Sequence, residues 1–365
     1  MNGPVLITAG GTGGHMFPAL ALAHELRRRG EPVAMVTDGR GARFLPDDLP
    51  GYQIRAGSPS GGLRQRLAGI LALVAGTFDA WRLVRRLRPT AAACFGGYAS
   101  VPAAIAARLA GRPLLLHEQN AVFGRANRLL ARFAKVIALS FVATSAVPEH
   151  GQARLVVNGN PVRPGFLADP AGYRAPAAGE PFRILVIGGS QGARIFSDVM
   201  PAAVALLPAE LRSRLRIEQQ CRPEDLARVA DAYKAHDIKG EVTGFFTDMP
   251  AHLARAQLVI SRAGASSLTE IMAMGRPSIL VPYAAAADDH QRANAEALAL
   301  AGGCVRIVEA AFTPTALAAE LTALAAAPER LEAMATNARA TFRDDAAGRL
   351  ADAVLALVPA EGSRR

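Results

Sequence analysis

Residues 5–15 of the chain read VLITAGGTGGH, and this stretch decides the fold of the first half. Its apolar start predicts a strand over Val5–Thr8, and the glycines that follow predict a tight turn. A helix is expected after the turn, from about Pro18 to Arg29, and Gly30 closes it. Glycine lets the main chain approach a ligand closely, and helix N-termini attract anions, so the turn is a candidate phosphate site.

His15 ends the glycine turn. The positive end of the helix dipole favours a neutral imidazole there, which is the form that accepts a proton. We therefore interpret His15 as a candidate general base. The alternative is a polar residue that merely finishes the turn.

The second half of the chain begins in the same way as the first. An apolar strand over Arg183–Ile187 runs into the glycine turn 188–192, and a helix is expected from Ala193. Apolar strands alternate with helices elsewhere, which predicts parallel sheets covered by helices on both faces. The other segments are predicted as strands (Val33–Thr37, Ala91–Phe95, Leu114–His117, Val136–Leu139, Arg216–Cys221, Glu241–Thr243, Leu258–Ser261, Ser278–Val281 and Cys304–Ile307) and helices (from Val101, around Arg125–Arg132, and about Ala346–Leu357).

The breaker cluster NGNPVRP at residues 158–164 marks the domain junction. We expect an N-terminal domain over 1–163, a C-terminal domain over 164–345, and a helix and tail over 346–365, with packing back on the N-terminal domain as one option. The predicted fold class is α/β: two Rossmann-like doubly wound domains that face each other across a cleft. Ligands of such sheets bind at the carboxyl ends of the strands.

Composition narrows the class of partner. A hydrophobic content of 51% with 20% charged residues is typical of a folded protein. The formal net charge of +10 indicates an anionic partner, such as a nucleotide, a nucleic acid or an acidic lipid surface. Only 5% of residues are aromatic and no basic–aromatic motif for RNA or DNA is present, so phosphate compounds and membrane are favoured over nucleic acid.

The cysteines and the N-terminus give expectations about the compartment. The three cysteines are far apart and form no CxxC pair, which is typical of reduced thiols in a cytosolic protein. No secretion signal is expected, and no uninterrupted apolar run is long enough to span a bilayer.

A dinucleotide site is the obvious competitor for the first glycine turn. A GxGxxG match from Gly11 would need glycine where Met16 stands, so it fails, and the second turn fails too. Asp38 follows the second strand, where a ribose-binding acid would be expected, and it keeps this alternative open. Neither turn ends in the GK[ST] of a P-loop.

Three further polar segments follow predicted strands. HEQN at residues 117–120 is expected to face a ligand, because buried polar groups need partners. Residues 261–270, SRAGASSLTE, have two interpretations: a main-chain cradle for diphosphate with Glu270 on ribose hydroxyls, or a capping box formed by Ser267 and Glu270. Residues 288–294 are a further candidate ligand loop. Its two aspartates are adjacent and their side chains diverge, so a metal site is disfavoured.

An apolar stripe lies between Leu63 and Arg88 at helical spacing. Two interpretations stay open: a core-facing helix, or a helix that touches an anionic membrane surface. The stripe consists of Leu67, Ile70, Leu71, Val74, Phe78 and Trp81, and its arginine flanks are Arg64, Arg66, Arg82, Arg85, Arg86 and Arg88.

Taken together, these motifs resemble the MurG family of N-acetylglucosaminyltransferases of bacterial cell-wall synthesis. The match covers nearly the whole chain in order. Its motifs are GGTGGH ending at His15, FGGYAS from Phe95, HEQN ending at Asn120 with Gly124 and Asn127 beyond it, GNPVR ending at Arg163, GGSQGAR from Gly188, SRAGASSLTE ending at Glu270 and DDHQRANA from Asp288.

The resemblance implies a GT-B fold and an inverting transfer of GlcNAc from UDP-GlcNAc to lipid I, with His15 as the catalytic residue. It implies no cofactor, no metal, no nucleic-acid partner, and a peripheral position on the anionic inner-membrane surface, at its cytoplasmic face. The N-terminal domain would take lipid I, and the C-terminal domain would hold the donor. The implied substrate-binding residues are Thr12, Gly13, Gly14, Asn120, Arg163, Ser190, Phe246, Ala265, Ser266, Ser267, Leu268, Thr269, Glu270 and Gln291.

Two positions depart from the family pattern. Ser267 stands where threonine is expected, and it keeps the hydroxyl. Phe246 stands where aliphatic residues are common, so we expect a main-chain contact to uracil rather than a side-chain contact. The alternatives are another UDP-sugar enzyme of this fold, such as a UDP-GlcNAc 2-epimerase or a glycolipid glycosyltransferase, and a non-catalytic nucleotide-sugar or lipid-binding module.

Overall fold

The computed structural model describes residues 3–59, 61–149, 152–167, 172–189 and 192–358. The chain forms two compact units. The first unit is Met1–Arg163 together with Arg343–Arg365, and the second is Pro164–Phe342. The chain passes from the first unit to the second inside the breaker cluster 158–164, and it returns to the first unit at Arg343.

Seven strands form the sheet of the first unit where the chain is described. They are β1 (Val5–Thr8), β2 (Val33–Thr37), β3 (Gly51–Gln53), β4 (Ala91–Cys94), β5 (Leu114–Glu118), β6 (Val136–Leu139) and β7 (Arg154–Val157). Their order is β3-β2-β1-β4-β5-β6-β7, and every neighbouring pair is parallel. Val5 pairs with Val33 on one side and with Ala91 on the other. The interior strands are buried on both faces, which is why they read as continuous apolar runs.

Helices cover both faces of this sheet. They are α1 (Gly13–Arg28), α2 (Gly39–Ala42), α3 (Leu63–Leu87), α4 (Val101–Leu109) and α5 (Arg125–Leu130). A short 3-10 helix, Ala131–Phe133, continues α5, so the helix expected around 125–132 is present in two parts.

The second unit repeats the architecture with six described strands. They are β8 (Phe182–Ile187), β9 (Leu215–Gln220), β10 (Lys239–Thr243), β11 (Leu258–Ser261), β12 (Ser278–Leu280) and β13 (Cys304–Arg306). Their order is β10-β9-β8-β11-β12-β13, again all parallel. Its helices are α6 (Arg194–Leu206), α7 (Ala209–Arg214), α8 (Leu226–Lys234), α9 (Met249–Arg255), α10 (Ala265–Ala273), α11 (His290–Leu300), α12 (Pro314–Ala325) and α13 (Pro328–Thr341). Two doubly wound parallel units confirm the predicted fold class.

The last helix, α14 (Ala346–Leu355), belongs to the first unit. Its buried Leu350 and Val354 share a hydrophobic core with Leu22 and Leu26 of α1. Arg29, at the end of α1, donates to the Gly348 carbonyl at 3.1 Å and pairs with Asp352. The last described helix is therefore part of the core of the first unit.

Two strands of the first unit are not predicted by the sequence pattern. The edge strands β3 and β7 are partly exposed, and their sequences, GYQ and RLVV, lack a long apolar run. An edge strand has solvent on one side and needs less apolar sequence than an interior one.

Candidate active site

The strand order of each sheet reverses next to its first strand. In the first unit the reversal lies between β1 and β4, and in the second between β8 and β11. Ligands of doubly wound sheets bind outside the carboxyl ends of the strands at such a point. The segments that follow these four strands are 9–12, 95–100, 188–193 and 262–264, and all four carry motifs identified in the sequence.

The turn after β1 and the turn after β4 touch main chain to main chain. The Gly10 N–H donates to the Gly96 carbonyl at 2.9 Å. A Cβ on Gly97 would lie 2.9 Å from the Gly10 Cα and 3.6 Å from His15 Cε1. Gly97 has φ 75° and ψ 148°, which is essentially a glycine-only conformation. The two turns can therefore pack this closely only because Gly10 and Gly97 have no side chains. The turn after β4 consequently lies next to the imidazole of His15.

His15 is the third residue of α1, and the prediction that the helix begins near Pro18 is wrong. Thr12 is the N-cap, and α1 starts at Gly13. Pro18 lies inside the helix, where it removes one intrahelical bond, the one that its missing N–H would make to the Gly14 carbonyl. His15 therefore stands in the first turn of the helix, at its positive end.

Thr12 holds the His15 ring. The Thr12 Oγ1 lies 2.9 Å from His15 Nδ1, and the imidazole is half-buried. A hydroxyl can either donate to or accept from a ring nitrogen, so this contact fixes the ring plane and engages Nδ1. Any proton transfer by His15 then uses Nε2.

Three of the four residues of HEQN face the protein, so the expectation that this segment faces a ligand is wrong for them. His117, Glu118 and Gln119 are buried. His117 Nε2 lies 3.2 Å from the Gly159 carbonyl, and Gln119 Nε2 donates to the Phe95 carbonyl at 2.9 Å. These side chains tie the end of β5 to the loops after β4 and β7.

Glu118 is the anchor of its own loop, and sequence reasoning gave it no such role. Its Oε1 accepts from the Asn120 main-chain N–H at 3.0 Å and from Asn120 Nδ2 at 3.1 Å. Its Oε2 accepts from the Gly124 N–H at 2.9 Å and from Asn127 Nδ2 at 2.8 Å. Four donors on one buried carboxylate fix the position of Asn120, the half-buried member of HEQN. An acidic residue at the end of a buried strand is the signal that could have identified this anchor.

Arg163 closes the first unit and lies against α1. Its guanidinium carbon is 4.4 Å from the ring centroid of Phe17, two residues after His15. A cation over an aromatic face is held electrostatically. The structure thus brings Arg163 to the helix that carries His15, although 148 residues separate the two in sequence.

Asp38 is buried and engaged inside the first unit, which argues against the dinucleotide alternative. Its Oδ1 accepts from the Gly41 N–H at 2.9 Å and caps α2. A Cβ on Gly11 would lie 2.2 Å from this oxygen, so the carboxylate is packed against the glycine turn. A carboxylate that caps a helix and packs against the glycine turn is not available to a ribose.

In the second unit, the turn after β8 is described only in part, because Ser190 lies outside the described residues. The Gly188 N–H donates to Gln220 Oε1 at 3.3 Å, and the Gly192 N–H donates to the Gly189 carbonyl at 3.2 Å. The helix that follows, α6, begins at Arg194 with Ala193 as its N-cap.

The segment Ala265–Glu270 is the first part of α10. Its N-cap is Gly264, and Ser267 is the third residue of the helix, so the capping-box alternative is wrong. Leu268 and Thr269 are buried, and the Thr269 hydroxyl donates to the Ala265 carbonyl at 2.7 Å. Ser266 and Ser267 are half-buried and Glu270 is buried. The side chains of Leu268 and Thr269 therefore face the protein, and the helix start carries main-chain N–H groups that lie outside the intrahelical pattern.

Phe246 and Gln291 are held differently. Phe246 is buried, with its ring centroid 4.2 Å from that of His252, which agrees with a main-chain rather than a side-chain role. Gln291 Oε1 accepts from the Ala263 N–H at 3.2 Å and from the Tyr283 N–H at 3.0 Å. Two donors on one atom identify it as the amide oxygen, so the Gln291 NH2 group is the end that these two N–H groups do not bind.

The adjacent aspartates of the loop before α11 both have left-handed main chain. Asp288 and Asp289 both have positive φ, 53° and 54°, and Asp289 pairs with Arg292. Among the described residues, no group of three or more His, Cys, Asp or Glu side chains is arranged to hold a metal ion.

The apolar stripe of α3 faces outward, so the core interpretation is wrong for five of its six residues. Leu67, Ile70, Leu71, Val74 and Phe78 are between 48% and 69% exposed, and Trp81 is half-buried. The buried residues of α3 include two glycines, Gly69 and Gly76, and a Cβ on Gly76 would lie 1.8 Å from the Arg55 carbonyl oxygen. In the part of the chain that is described, α3 alone is long and apolar enough to cross a membrane, and 28% of its most apolar stretch is buried.

Two family models match the chain. The glycosyltransferase family 28 N-terminal domain matches residues 5–139, and the glycosyltransferase family 28 C-terminal domain matches residues 183–350. The chain is 49% identical over 355 residues to the UDP-N-acetylglucosamine--N-acetylmuramyl-(pentapeptide) pyrophosphoryl-undecaprenol N-acetylglucosamine transferase of Rhodospirillum centenum, covering 96% of this chain and 94% of that protein. It is 48% identical over 359 residues to the enzyme of the same name from Nitrobacter winogradskyi, covering 96% of both.

A solved structure agrees with these relatives. The crystal structure of Acinetobacter baumannii MurG superposes with a TM-score of 0.77 at 33% identity, covering 97% of this chain and 99% of that one. Sequence, domain models and fold agree along nearly the whole length. The chain therefore belongs to glycosyltransferase family 28.

Proposed function

We propose that this chain transfers GlcNAc from UDP-GlcNAc to the muramyl 4-hydroxyl of undecaprenyl-pyrophosphoryl-MurNAc-pentapeptide, lipid I, and so makes lipid II for peptidoglycan. The observation that carries the proposal is His15, held through Nδ1 by Thr12 in the first turn of α1. The names of the full-length relatives support the choice of donor and acceptor.

The second unit is proposed to hold the donor. The main-chain N–H groups at the start of α10 face the diphosphate, Glu270 accepts from ribose hydroxyls, and the main chain at Phe246 meets uracil. The Gln291 NH2 group donates to the sugar, because its oxygen is engaged by two main-chain N–H groups. Ser190 is assigned near the diphosphate on the resemblance alone.

The first unit is proposed to supply the general base and to bind the acceptor, lipid I. The acceptor hydroxyl gives its proton to His15 Nε2 as its oxygen bonds to the anomeric carbon, and the bond from that carbon to the UDP oxygen breaks. Nε2 accepts a proton only when Nδ1 carries the hydrogen, so Nδ1–H must donate to Thr12 Oγ1. Thr12, Gly13, Gly14, Asn120 and Arg163 are assigned to the remaining donor contacts on the resemblance alone.

The negative charge that develops on UDP is proposed to be held without a metal ion. The first turns of α1 and α10 contain no acidic residue, so neither helix places a carboxylate of its own at its positive end. Preorganised N–H dipoles of this kind stabilise a leaving anion without reorganisation.

α3 is proposed as the contact with the cytoplasmic face of the inner membrane, which makes the protein peripheral. Its large apolar side chains face outward, and exposed arginines such as Arg64, Arg66, Arg82 and Arg85 flank them. An exposed apolar strip with basic flanks fits an anionic bilayer surface. Lipid II synthesis there would connect the chain to cell shape and division.

The test is transfer of labelled GlcNAc from UDP-GlcNAc to a lipid I analogue in the presence of EDTA. We expect a disaccharide product in the wild type and a loss of turnover of about 10²-fold or more in H15A, with UDP binding retained. H24A, on the same helix and away from the first turn, is the matched control and should keep full turnover. Product that forms from UDP-GlcNAc without acceptor would indicate an epimerase, and H15A with wild-type turnover would exclude the base role.

A further inference from the structure

Arg262 is a buried arginine directly after β11, and the proposed function gives it no role. Its Nη1 donates to the Val281 carbonyl at 3.1 Å and to the Pro282 carbonyl at 3.3 Å. The guanidinium also forms a two-pronged ion pair with Glu309: Nη1 to Oε2 at 3.0 Å and Nη2 to Oε1 at 3.1 Å. Its charge lies 5.1 Å from the ring centroid of Tyr283. One side chain thus joins the segments that follow β11, β12 and β13.

Glu309 extends the same connection. Its Oε2 also accepts from the Ala284 N–H at 2.8 Å. Burial raises the pKa of Glu309, but the bonds from Arg262 and Ala284 more than offset this and hold the pKa below its ordinary value. The carboxylate is therefore ionised at neutral pH, and both of its oxygens are used.

Gln291 and Asn294 hold the same segments from the side of α11. Gln291 Oε1 bridges the Ala263 and Tyr283 N–H groups, and Asn294 Nδ2 donates to the Ala263 carbonyl at 3.0 Å. Arg262 and Glu309 fix Pro282 and Ala284, and Tyr283 lies between these two. The orientation of the Gln291 amide thus depends on a main chain that the ion pair holds in place.

We propose that Arg262 and Glu309 are positioning residues that give the donor site its selectivity for the sugar part of UDP-GlcNAc over UDP alone. This rests on the proposed function, in which Gln291 contacts the sugar. The hydrogen bonds of the pair hold the main chain on both sides of Tyr283, whose N–H helps to orient the Gln291 amide. Loosening the pair releases the sugar contact and leaves the nucleotide contacts in place.

The test compares the affinities of the full-length protein for UDP-GlcNAc and for UDP by calorimetry. R262K keeps the charge but loses the two-pronged geometry, because an ammonium is a point donor. E309Q keeps the shape but turns an NH2 group toward either Arg262 or the Ala284 N–H, where only an acceptor fits. R306K is the matched control, because Arg306 pairs with Glu296 at 3.0 Å between β13 and α11 and does not touch the 282–284 segment.

We expect R262K and E309Q each to weaken UDP-GlcNAc binding about tenfold. UDP binding should change by less than about twofold, and KM for the donor should rise more than kcat falls. R306K should leave both affinities at the wild-type values. Equal weakening of both ligands, or no change in either, would overturn the positioning role. A wild-type protein that binds neither ligand would instead refute the proposed function.

Discussion

His117 makes the first unit sensitive to acid, and the size of the effect follows from its surroundings. The side chain is fully buried between the Phe95 ring, at a centroid distance of 5.1 Å, and the Gly159 carbonyl. Burial lowers the pKa of His117 from 6.5 to about 4, because the imidazolium loses its hydration. The ring is therefore neutral in the folded protein under conditions in which an unfolded chain would protonate it.

The sign of the effect follows from proton counting. Between pH 6.5 and about 4 the unfolded chain binds a proton at His117 and the folded chain does not, so the free energy of unfolding falls as the pH falls. Once the pH is below both pKa values, the total loss in the free energy of unfolding is about 3 kcal/mol. About 2 kcal/mol of it is lost between about pH 7 and about pH 5.

The assay is denaturant unfolding at about pH 7 and about pH 5, followed by the fluorescence of Trp81. Trp81 is the single tryptophan of the chain and lies in the same unit as His117. H117Q keeps a donor for the Gly159 carbonyl and does not titrate, so its stability relative to wild type should rise by about 2 kcal/mol at the lower pH. H24Q, on α1, serves as the control and should lose as much stability at the lower pH as the wild type does. Parallel pH dependence of wild type and H117Q would refute the reasoning.

Three further outcomes are expected. T12V removes the acceptor for His15 Nδ1–H and should lower turnover about tenfold or more and change the pH–rate profile, whereas T12S should restore both; identical profiles for all three proteins would contradict the tautomer argument. G97A forces a side chain into a glycine-only conformation 2.9 Å from Gly10 Cα, so it should cost on the order of 1–3 kcal/mol in unfolding experiments, and an unchanged midpoint would be inconsistent with the contact. The double variant L71E/V74E should reduce co-sedimentation with anionic phosphatidylglycerol vesicles by about tenfold or more, because each buried apolar side chain contributes about 1.5–3 kcal/mol; L300E, at an 81% exposed leucine of the second unit, is the control, and equal losses would argue against α3 as the contact.

The interior of both sheets could be predicted because buried parallel strands leave an unambiguous signal. β6 and β11 have the predicted bounds, and β1 does as well. The edge strands β3 and β7 could not be predicted, because half-solvated strands do not need an apolar run. The predicted start of α1 near Pro18 is wrong because the helix begins inside the glycine turn and accommodates Pro18 at its sixth position.

The outward face of α3 could not be decided from periodicity. A stripe of leucine, valine and phenylalanine at helical spacing shows that a helix has an apolar face but not which way that face points. The deciding feature lies on the opposite face, where Gly69 and Gly76 allow the helix to approach Ser58 and Arg55 closely. α3 buries these glycines and exposes five large apolar residues of its stripe, and a contiguous exposed apolar patch is typical of a surface that contacts another molecule.

The polar residues at the ends of buried strands were the hardest part of the site to interpret, and both units explain why. Glu118 collects four donors from its own loop, and Arg262 binds two carbonyls and a carboxylate in two other segments, so each acts as an anchor for main chain at a strand end. Loops at the carboxyl ends of parallel strands leave the sheet, and their main-chain groups need other partners. A charged side chain with several hydrogen-bonding positions meets that need from a single buried point.

The motifs that identify the chain therefore contain two kinds of residue, ones that can meet a ligand and ones that hold those residues in place. In HEQN the first kind is Asn120 and the second is Glu118; in the second unit the first kind is Gln291 and the second is Arg262. Sequence alone does not separate them, because both are polar and both follow a strand. Burial together with the number of protein partners does. It follows that substituting an anchor should change ligand affinity from a distance, and that the size of the change should depend on which part of the ligand the anchored loop meets.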